Sequence, residues 1–489
     1  MEVSFGTLNT IILLVYLGLM VLIGALFAGK QKTTKDFFLA GQSMNWVLVA
    51  ISIFASITSA VTYMGIPGLV YKENIAFMFG ILMMPVAAPF IIWLFLPVYK
   101  KYNVTTSYEY VYHRFGQPAR YTVSALFLLA RLGWLGTVVY APALALSVVT
   151  GIDLALTILF MGVMGTLYTA LGGLAAVIWT DVVQFIILVG GGIWVAATLA
   201  FDVPGGVTEI FRVTREAGHL DIIDWAPSLT EMTLFVVMIS YFIQFLHDYG
   251  VDQVTVQRLM ATPTLGGMAR ATLVNSFISV FVVGLLAFIG LGLYAYVNVG
   301  DHPFPDGLNR DEIFPYYIIH ALPQGISGLV ITGVFAAAMS SVDSGINSLS
   351  TIVVNDFVKP LRGREMDEGS DVLLARILVV LFGAFAVGVA FFASTIGDMI
   401  KTTQGFLGAF SGPILALFLL GILTKRANFP GWLAGMVCSV GVVLWLQYNT
   451  DVHFVYFFPI STIGTFVIGF TTSLLFPSSI QTESNPADV

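Results

Sequence analysis

The sequence predicts an all-α integral membrane protein, and three observations carry that expectation. First, 57% of the 489 residues are hydrophobic and only 10% are charged, with a mean hydropathy of +0.90. Soluble domains hold about 45–50% apolar and about 25% charged residues, so a water-soluble core this apolar could not be covered. Second, the apolar side chains gather in runs of the length that crosses a hydrocarbon layer, roughly 20 residues. Third, the 21 basic residues lie mostly between alternate runs. A net charge of −7 with few basic clusters excludes a nucleic-acid partner. The single cysteine, Cys438, leaves no disulfide framework and no cysteine metal cluster.

About thirteen runs follow one another along the chain. They cover 8–28, 45–64, 75–98, 122–149, 154–171, 176–201, 232–250, 271–297, 326–354, 372–394, 399–423, 431–448 and 454–476. The first is too long for the h-region of a signal peptide and has no Lys or Arg before it, so it reads as a retained helix. The connection at Gly172-Gly173 reads as a tight turn or a re-entrant bend. Lys30 to Lys35, Lys100 to Arg120, Arg258, Arg270, Lys359 to Arg376 and Lys425-Arg426 fall on one side of this alternation; Lys72, Arg212, Arg215 and Arg310 fall on the other. The positive-inside rule then places the amino terminus outside and the carboxyl terminus in the cytoplasm. Residues 202–231 and 298–323 read as long outer loops, and 477–489 as a disordered cytoplasmic tail. Residues 1–476 form a single membrane domain with the lipid bilayer as its main partner, and no protein partner is evident.

Polar groups inside apolar spans face a cavity or one another. Ser52, Ser56, Thr58, Ser59 and Thr62 crowd the second run, with Pro67 close behind. This pattern fits either a helix interrupted near its middle or close helix packing through small residues. In the ninth run, Ala337, Ser340, Ser341 and Ser344 share a helical face, with Asp343 beside them. Oxygen ligands of this kind suit a small hard cation, and no His or Cys favours a transition metal; the competing reading is a polar packing seam with Asp343 paired to Arg131. Thr180, Asp181 and Gln184 follow the Gly172-Gly173 turn. Asp181 is read as a cation ligand, a release-path residue or a solvated cytoplasmic carboxylate. Arg131 lies about 16 Å along its helix from Arg120, near mid-membrane, and requires a carboxylate or an anionic substrate. Lys401, close to an end of its span, snorkels.

The stretches YTALGGLAAVIWTDVVQ (168–184), FAAAMSSVDSGINSLSTIVVNDF (335–357) and QVTVQRLMAT (from Gln253) resemble the signatures of the sodium:solute symporters. The likeness runs from about Lys32 to Lys425. It implies a LeuT-like five-plus-five inverted repeat, here 45–201 and 232–423, with one extra helix before it (8–28) and two after it (431–476). It also implies a Na+ site formed by the carbonyls of Ala55, Thr58 and Ala337 with the hydroxyls of Ser340 and Ser341. A second Na+ position in some members matches Asp181, Ser340 and Ser344, with Asp343 replacing an expected hydroxyl. The segment VVYAPALALSVVTGIDL (138–154) most resembles the branch that carries monocarboxylates, multivitamins and iodide. Bacterial sialic acid carriers resemble the chain around Ser59 and Thr62, but their substrate-binding arginine aligns with Trp134, one turn from Arg131. The polar ligand positions of the sugar carriers appear here as Phe245 and Ser279.

The resemblance therefore implies a plasma-membrane symporter (the inner membrane in a bacterium) that couples Na+ to a small organic solute by alternating access. The expected solute is an organic anion such as a monocarboxylate, lined by Ser59, Thr62, Phe77, Arg131, Trp134, Gln244 and Phe406; sialic acid or a sugar is the alternative. Each net charge moved inward contributes about 2.3 kcal/mol per 100 mV. An intramembrane enzyme would need a nucleophile and base at depth, and His247-Asp248 offers no third group. A transporter-like sensor would carry an added signalling domain. Neither is expected.

Overall fold

The computed structural model describes residues 6–76, 78–221, 228–230, 233–300, 302–305, 307–362, 367–393 and 399–475, with backbone alone at 141, 145, 148–150, 393 and 399–409. The described residues are helical in the main, and thirteen of the helices are labelled here. They are α1 (Thr7–Ala28), α2 (Trp46–Ile57), α3 (Ala60–Lys72), α4 (Gln117–Thr150), α5 (Leu154–Asp202), α6 (Leu234–Gly250) and α7 (Gln253–Met260). After these come α8 (Leu265–Val299), α9 (Ile326–Ile352), α10 (Glu368–Ala393), α11 (Met399–Leu423), α12 (Phe429–Asn449) and α13 (Phe457–Ser473). Helix Met78–Tyr102 lies between α3 and α4.

Among the described residues, nine helices are long and apolar enough to cross a membrane, or up to eleven if each bent pair is one span. That falls short of the thirteen runs in the sequence, and the difference lies in where helices are interrupted. The second run is split into α2 and α3. The fifth and sixth runs are continuous as α5, except at Gly173. The eleventh is described as an apolar helix from Phe410 to Leu423. The two expected outer loops each contain a helix, Gly206–Glu216 and Arg310–His320. Residues 477–489 lie outside the described residues.

Helix α5 spans 49 residues, about 73 Å if it were straight, more than twice the hydrocarbon thickness. Gly173 resolves this with φ 56° and ψ −158°, a combination open essentially to glycine alone. A Cβ there would also lie 2.7 Å from the carbonyl oxygen of Phe37. Gly173→Ala is therefore expected to lower stability by roughly 1–3 kcal/mol, read as a lower thermal midpoint of the purified protein.

Helix α9 is central. In its span window, 89% is buried, so it meets protein on every side and can carry polar residues that lipid would reject. It packs against both arms of α5, against α4, α1 and α10, and against α2 and α3. At its carboxyl-terminal end the chain widens into a π-helical turn, Val353–Val358. Asp356 of that turn accepts hydrogen bonds from Thr106 Oγ1 (2.7 Å), Ser124 Oγ (2.6 Å) and Arg120 Nη2 (2.6 Å). A carboxylate with three donors and a paired guanidinium is tolerated in a buried position, and it fixes α9 against α4.

Candidate functional site

Two interrupted helices meet at the site. In the first, α2 ends at Ile57, Thr58 is extended at φ −78° and ψ 105°, and Ser59 opens α3 as its N-cap. Ser59 Oγ accepts from the Thr62 N–H at 3.3 Å, a role that favours Ser in an extended conformation. That bond takes the donor which, in an unbroken helix, would reach the carbonyl of Thr58. The serine cluster thus interrupts the helix, and among the described residues the carbonyls around Ala55 to Thr58 lose their helical donors. In the second, α6 and α7 are bent by 49°, and Asp252 at the bend caps α7 by accepting from Val254 N at 2.9 Å.

Across from the first break stands the hydroxyl face of α9. Ser340 Oγ donates to the carbonyl of Ala55 at 2.7 Å and lies 3.1 Å from the carbonyl of Ala337. Ser341 Oγ lies 3.4 Å from the carbonyl of Ser56 and 3.2 Å from that of Ala337. Ala55, Ala337, Ser340 and Ser341 therefore come together between α2 and α9, with Thr58 at the break itself. This set holds only oxygen donors, carbonyl and hydroxyl, and fits a small hard cation.

One layer further is a buried charged cluster. Asp181 of α5 is fully buried, not a solvated cytoplasmic carboxylate. Its Oδ2 accepts from Ser52 Oγ at 2.5 Å and forms an ion pair with Arg258 Nη2 at 3.3 Å. Arg258, which the sequence placed in an inner loop, is 1% exposed on α7. It also donates to Ser52 Oγ (2.8 Å) and Ser344 Oγ (2.5 Å). Ser344 Oγ in turn bonds to the carbonyl of Ser340 and lies 3.0 Å from Asp343 Oδ1. Asp343 Oδ2 accepts from Tyr168 Oη at 2.6 Å. Arg258 thus ties four helices together: α7, α5, α2 and α9.

Arg131 pairs with Asp252, with its Nη2 2.8 Å from each carboxylate oxygen, rather than with Asp343. Its guanidinium lies 4.6 Å from the ring centroid of Trp134 and 5.5 Å from that of Phe127, within the range of a cation–π contact. Ser59 and Thr62 hydroxyls stand 3.3 Å apart at the start of α3, and α3 packs against α4. Gln244 on α6 donates to Asp248 Oδ2 at 3.3 Å, and Asp248 Oδ1 lies 2.9 Å from His247 Nδ1. Phe77, the side chain of Phe406 and that of Lys401 lie outside the described residues. Phe245 and Ser279 are buried, and Ser279 bonds to the carbonyl of Asn275 within its own helix.

Sequence reading missed the two partners that organise the site, Arg258 and Asp252. Their signal was present in the motif around Gln253, which carries an acid at the N-cap of a short helix and a base in its last turn. Nothing local says which distant group each one meets.

Paired broken helices around a central hydroxyl-bearing helix are the architecture of a secondary carrier. The sodium:solute symporter family model matches residues 37–439, and the chain belongs to that family. It is 31% identical to a sodium/sialic acid symporter of Aliivibrio fischeri, over 98% of this chain and 95% of that protein. It is 33% identical to the human sodium-coupled monocarboxylate transporter 1, over 90% of this chain and 73% of that one. A solved structure of a substrate-bound, outward-open Na+-coupled sialic acid symporter aligns with a TM-score of 0.92 at 30% identity, covering 97% and 99% of the two chains. The protein is a Na+-coupled solute symporter with a LeuT-like fold and many membrane-spanning helices, and Na+ is its coupling ion.

Proposed function

We propose that the chain is a plasma-membrane transporter, not an enzyme, that carries a small organic anion inward with Na+. It runs with its amino terminus outside, and residues 1–476 act as one domain. The observation that carries the anion reading is Arg131, a guanidinium stacked on Trp134 and held by Asp252 at the bend between α6 and α7. A planar fork of donors beside an aromatic face suits a carboxylate. The relatives named for monocarboxylates and sialic acid have carboxylate solutes in common.

In this reading Na+ enters from outside and is held by the carbonyls of Ala55, Thr58 and Ala337 and the hydroxyls of Ser340 and Ser341. The ion draws the end of α2 onto α9 and so shapes the neighbouring solute pocket at Ser59, Thr62, Trp134 and Gln244. Inward opening then separates α2 from α9, the oxygen set is lost, and both cargoes leave. Only a ligand that binds one state more strongly can shift such an equilibrium, and Na+ does so because its ligands come from two elements.

The test is uptake into proteoliposomes under an imposed Na+ gradient, with radiolabelled lactate, sialic acid and glucose compared. Uptake of one of the carboxylates, and not of glucose, is the expected result; transport of glucose alone would overturn the anion reading. Arg131→Gln is expected to reduce the apparent affinity for the carboxylate by roughly tenfold or more, the equivalent of one charge-assisted hydrogen bond. Its effect on Na+ half-saturation should be small.

A further inference from the structure

We propose that the solute is held at two points, its carboxylate on Arg131 and a hydroxyl or ammonium group on Asp248, so that Asp248 decides which acids are carried. The inference rests on the organic-anion reading and narrows it to carboxylates that bear a separate hydrogen-bond donor.

Three observations carry it. The first is a polar face. Along α6 and the bend that follows, Gln244, Asp248 and Asp252 recur at every fourth position and share one side. They are partly exposed, whereas residues 245–247 and 249–251 are buried. The side chains of Asp248, Asp252 and Arg131 keep 27%, 14% and 16% of their surface open. Charged groups within apolar spans do not face lipid, so this face borders a cavity that water and solute can reach. The second observation is unused bonding capacity. Arg131 spends Nη2 on the two oxygens of Asp252, while its Nε and Nη1 have no hydrogen-bond partner among the described residues. These N–H groups remain for the carboxylate of a solute. Asp248 makes one contact at each oxygen, with His247 Nδ1 at 2.9 Å and Gln244 Nε2 at 3.3 Å. An ionised carboxylate offers about four acceptor sites, so part of its capacity is open. No Lys or Arg pairs with it among the described residues.

The third observation is that the acceptor is fixed in place. The carbonyl of Asp248 accepts from Thr255 Oγ1 at 2.7 Å. The carbonyl of His247 accepts from the N–H groups of Val251 and Asp252 at 2.8 and 2.9 Å. The His247 ring is buried, with its centroid 5.6 Å from that of Phe458. Asp248 therefore stands about one helical turn, roughly 5.4 Å, from the Asp252–Arg131 pair. Open donors at one end of this face and open acceptors at the other match a solute that carries both groups. A bare monocarboxylate would answer Arg131 and leave Asp248 with like charge facing it. A site built to bond a hydroxyl rejects the analogue that lacks it far more strongly than an apolar pocket rejects one missing methylene.

Na+-driven uptake by the full chain in proteoliposomes tests this, with labelled butyrate, 4-hydroxybutyrate, 4-aminobutyrate and sialic acid. The first three share their length and carboxylate and differ at the far carbon alone, so the hydroxyl and the ammonium are read separately. For a donor-bearing acid, half-saturation is expected at least about tenfold below that for butyrate, the worth of a bond to a charged acceptor. Asp248→Ala should remove that preference. Asp248→Asn keeps one acceptor and the shape of the side chain, so it should retain part of the preference for the hydroxyl and lose that for the ammonium. Both variants should move the half-saturation of the solute further than that of Na+, a split that a purely structural role would not produce. Butyrate carried as well as every donor-bearing acid, or a preference that survives both variants, overturns the role of Asp248 alone. Uptake of none of the four acids would remove the organic-anion reading with it.

Discussion

Replacing Arg258 with methionine is expected to cost the protein about 3–5 kcal/mol, the loss that follows when one member of a buried ion pair is removed. The guanidinium is 1% exposed and donates to Ser52, Ser344 and the carbonyl of Val254, beside its ion pair with Asp181. Methionine fills part of the volume but leaves Asp181 charged, buried and short of its main counter-ion. Against a total stability of about 5–15 kcal/mol, the expected outcome is poor yield and a strongly lowered thermal midpoint. The double variant Arg258→Met with Asp181→Asn removes both charges and should recover much of that loss, because the penalty belongs to the unpaired charge and not to the pair. Arg258→Lys should fall between, since a single ammonium cannot reach Ser52, Ser344 and Asp181 from one planar fork. A double-mutant cycle on the thermal midpoints measures the coupling. Equal losses in the single and double variants would show that Arg258 acts through packing alone.

Removing the hydroxyls of Ser340 and Ser341 is expected to affect Na+ dependence rather than folding. Each lies within 3.4 Å of a carbonyl of α2, Ala55 or Ser56, and each also touches the carbonyl of Ala337. Alanine leaves those carbonyls their positions and removes one of the proposed ligand oxygens apiece. A lost bond to a charged partner is worth about 1.5–3 kcal/mol, so each single variant should raise the Na+ concentration for half-maximal uptake by roughly ten- to a hundredfold. In the double variant, Na+-driven uptake should vanish at ordinary Na+ concentrations while the thermal midpoint without Na+ stays near that of the native chain. Uptake measured across a Na+ series decides it, and unchanged Na+ dependence in both single variants would sink the assignment of this site.

Much of the site is legible from residue types because its causes are local. The cluster from Ser52 to Thr62 breaks its helix through Ser59, which caps a new helix with its own side chain. The face Ala337–Ser340–Ser341–Ser344 follows from helical spacing. Its burial was foreshadowed by its polarity, since a helix that carries so many hydroxyls cannot face lipid. The count of spans was less secure, because hydropathy does not register a bend. Gly173 turns the chain within what is otherwise one long helix, and the split at Thr58 makes two helices from one apolar run.

What the sequence determined by itself is the medium, the placing of the apolar spans and the identity of the polar exceptions, all set by side chains within a turn or two of one another. Only the tertiary structure decided which charges meet. Arg131 finds Asp252 rather than Asp343, and Arg258 leaves the inner-loop count to enter the core against Asp181. The physical reason is that a buried charge must be neutralised by whatever group the packing brings within a few ångströms. That group comes from a helix far along the chain: 121 residues for Arg131 and Asp252, and 77 for Arg258 and Asp181. Local pattern can demand a partner, and only the packing of helices supplies one.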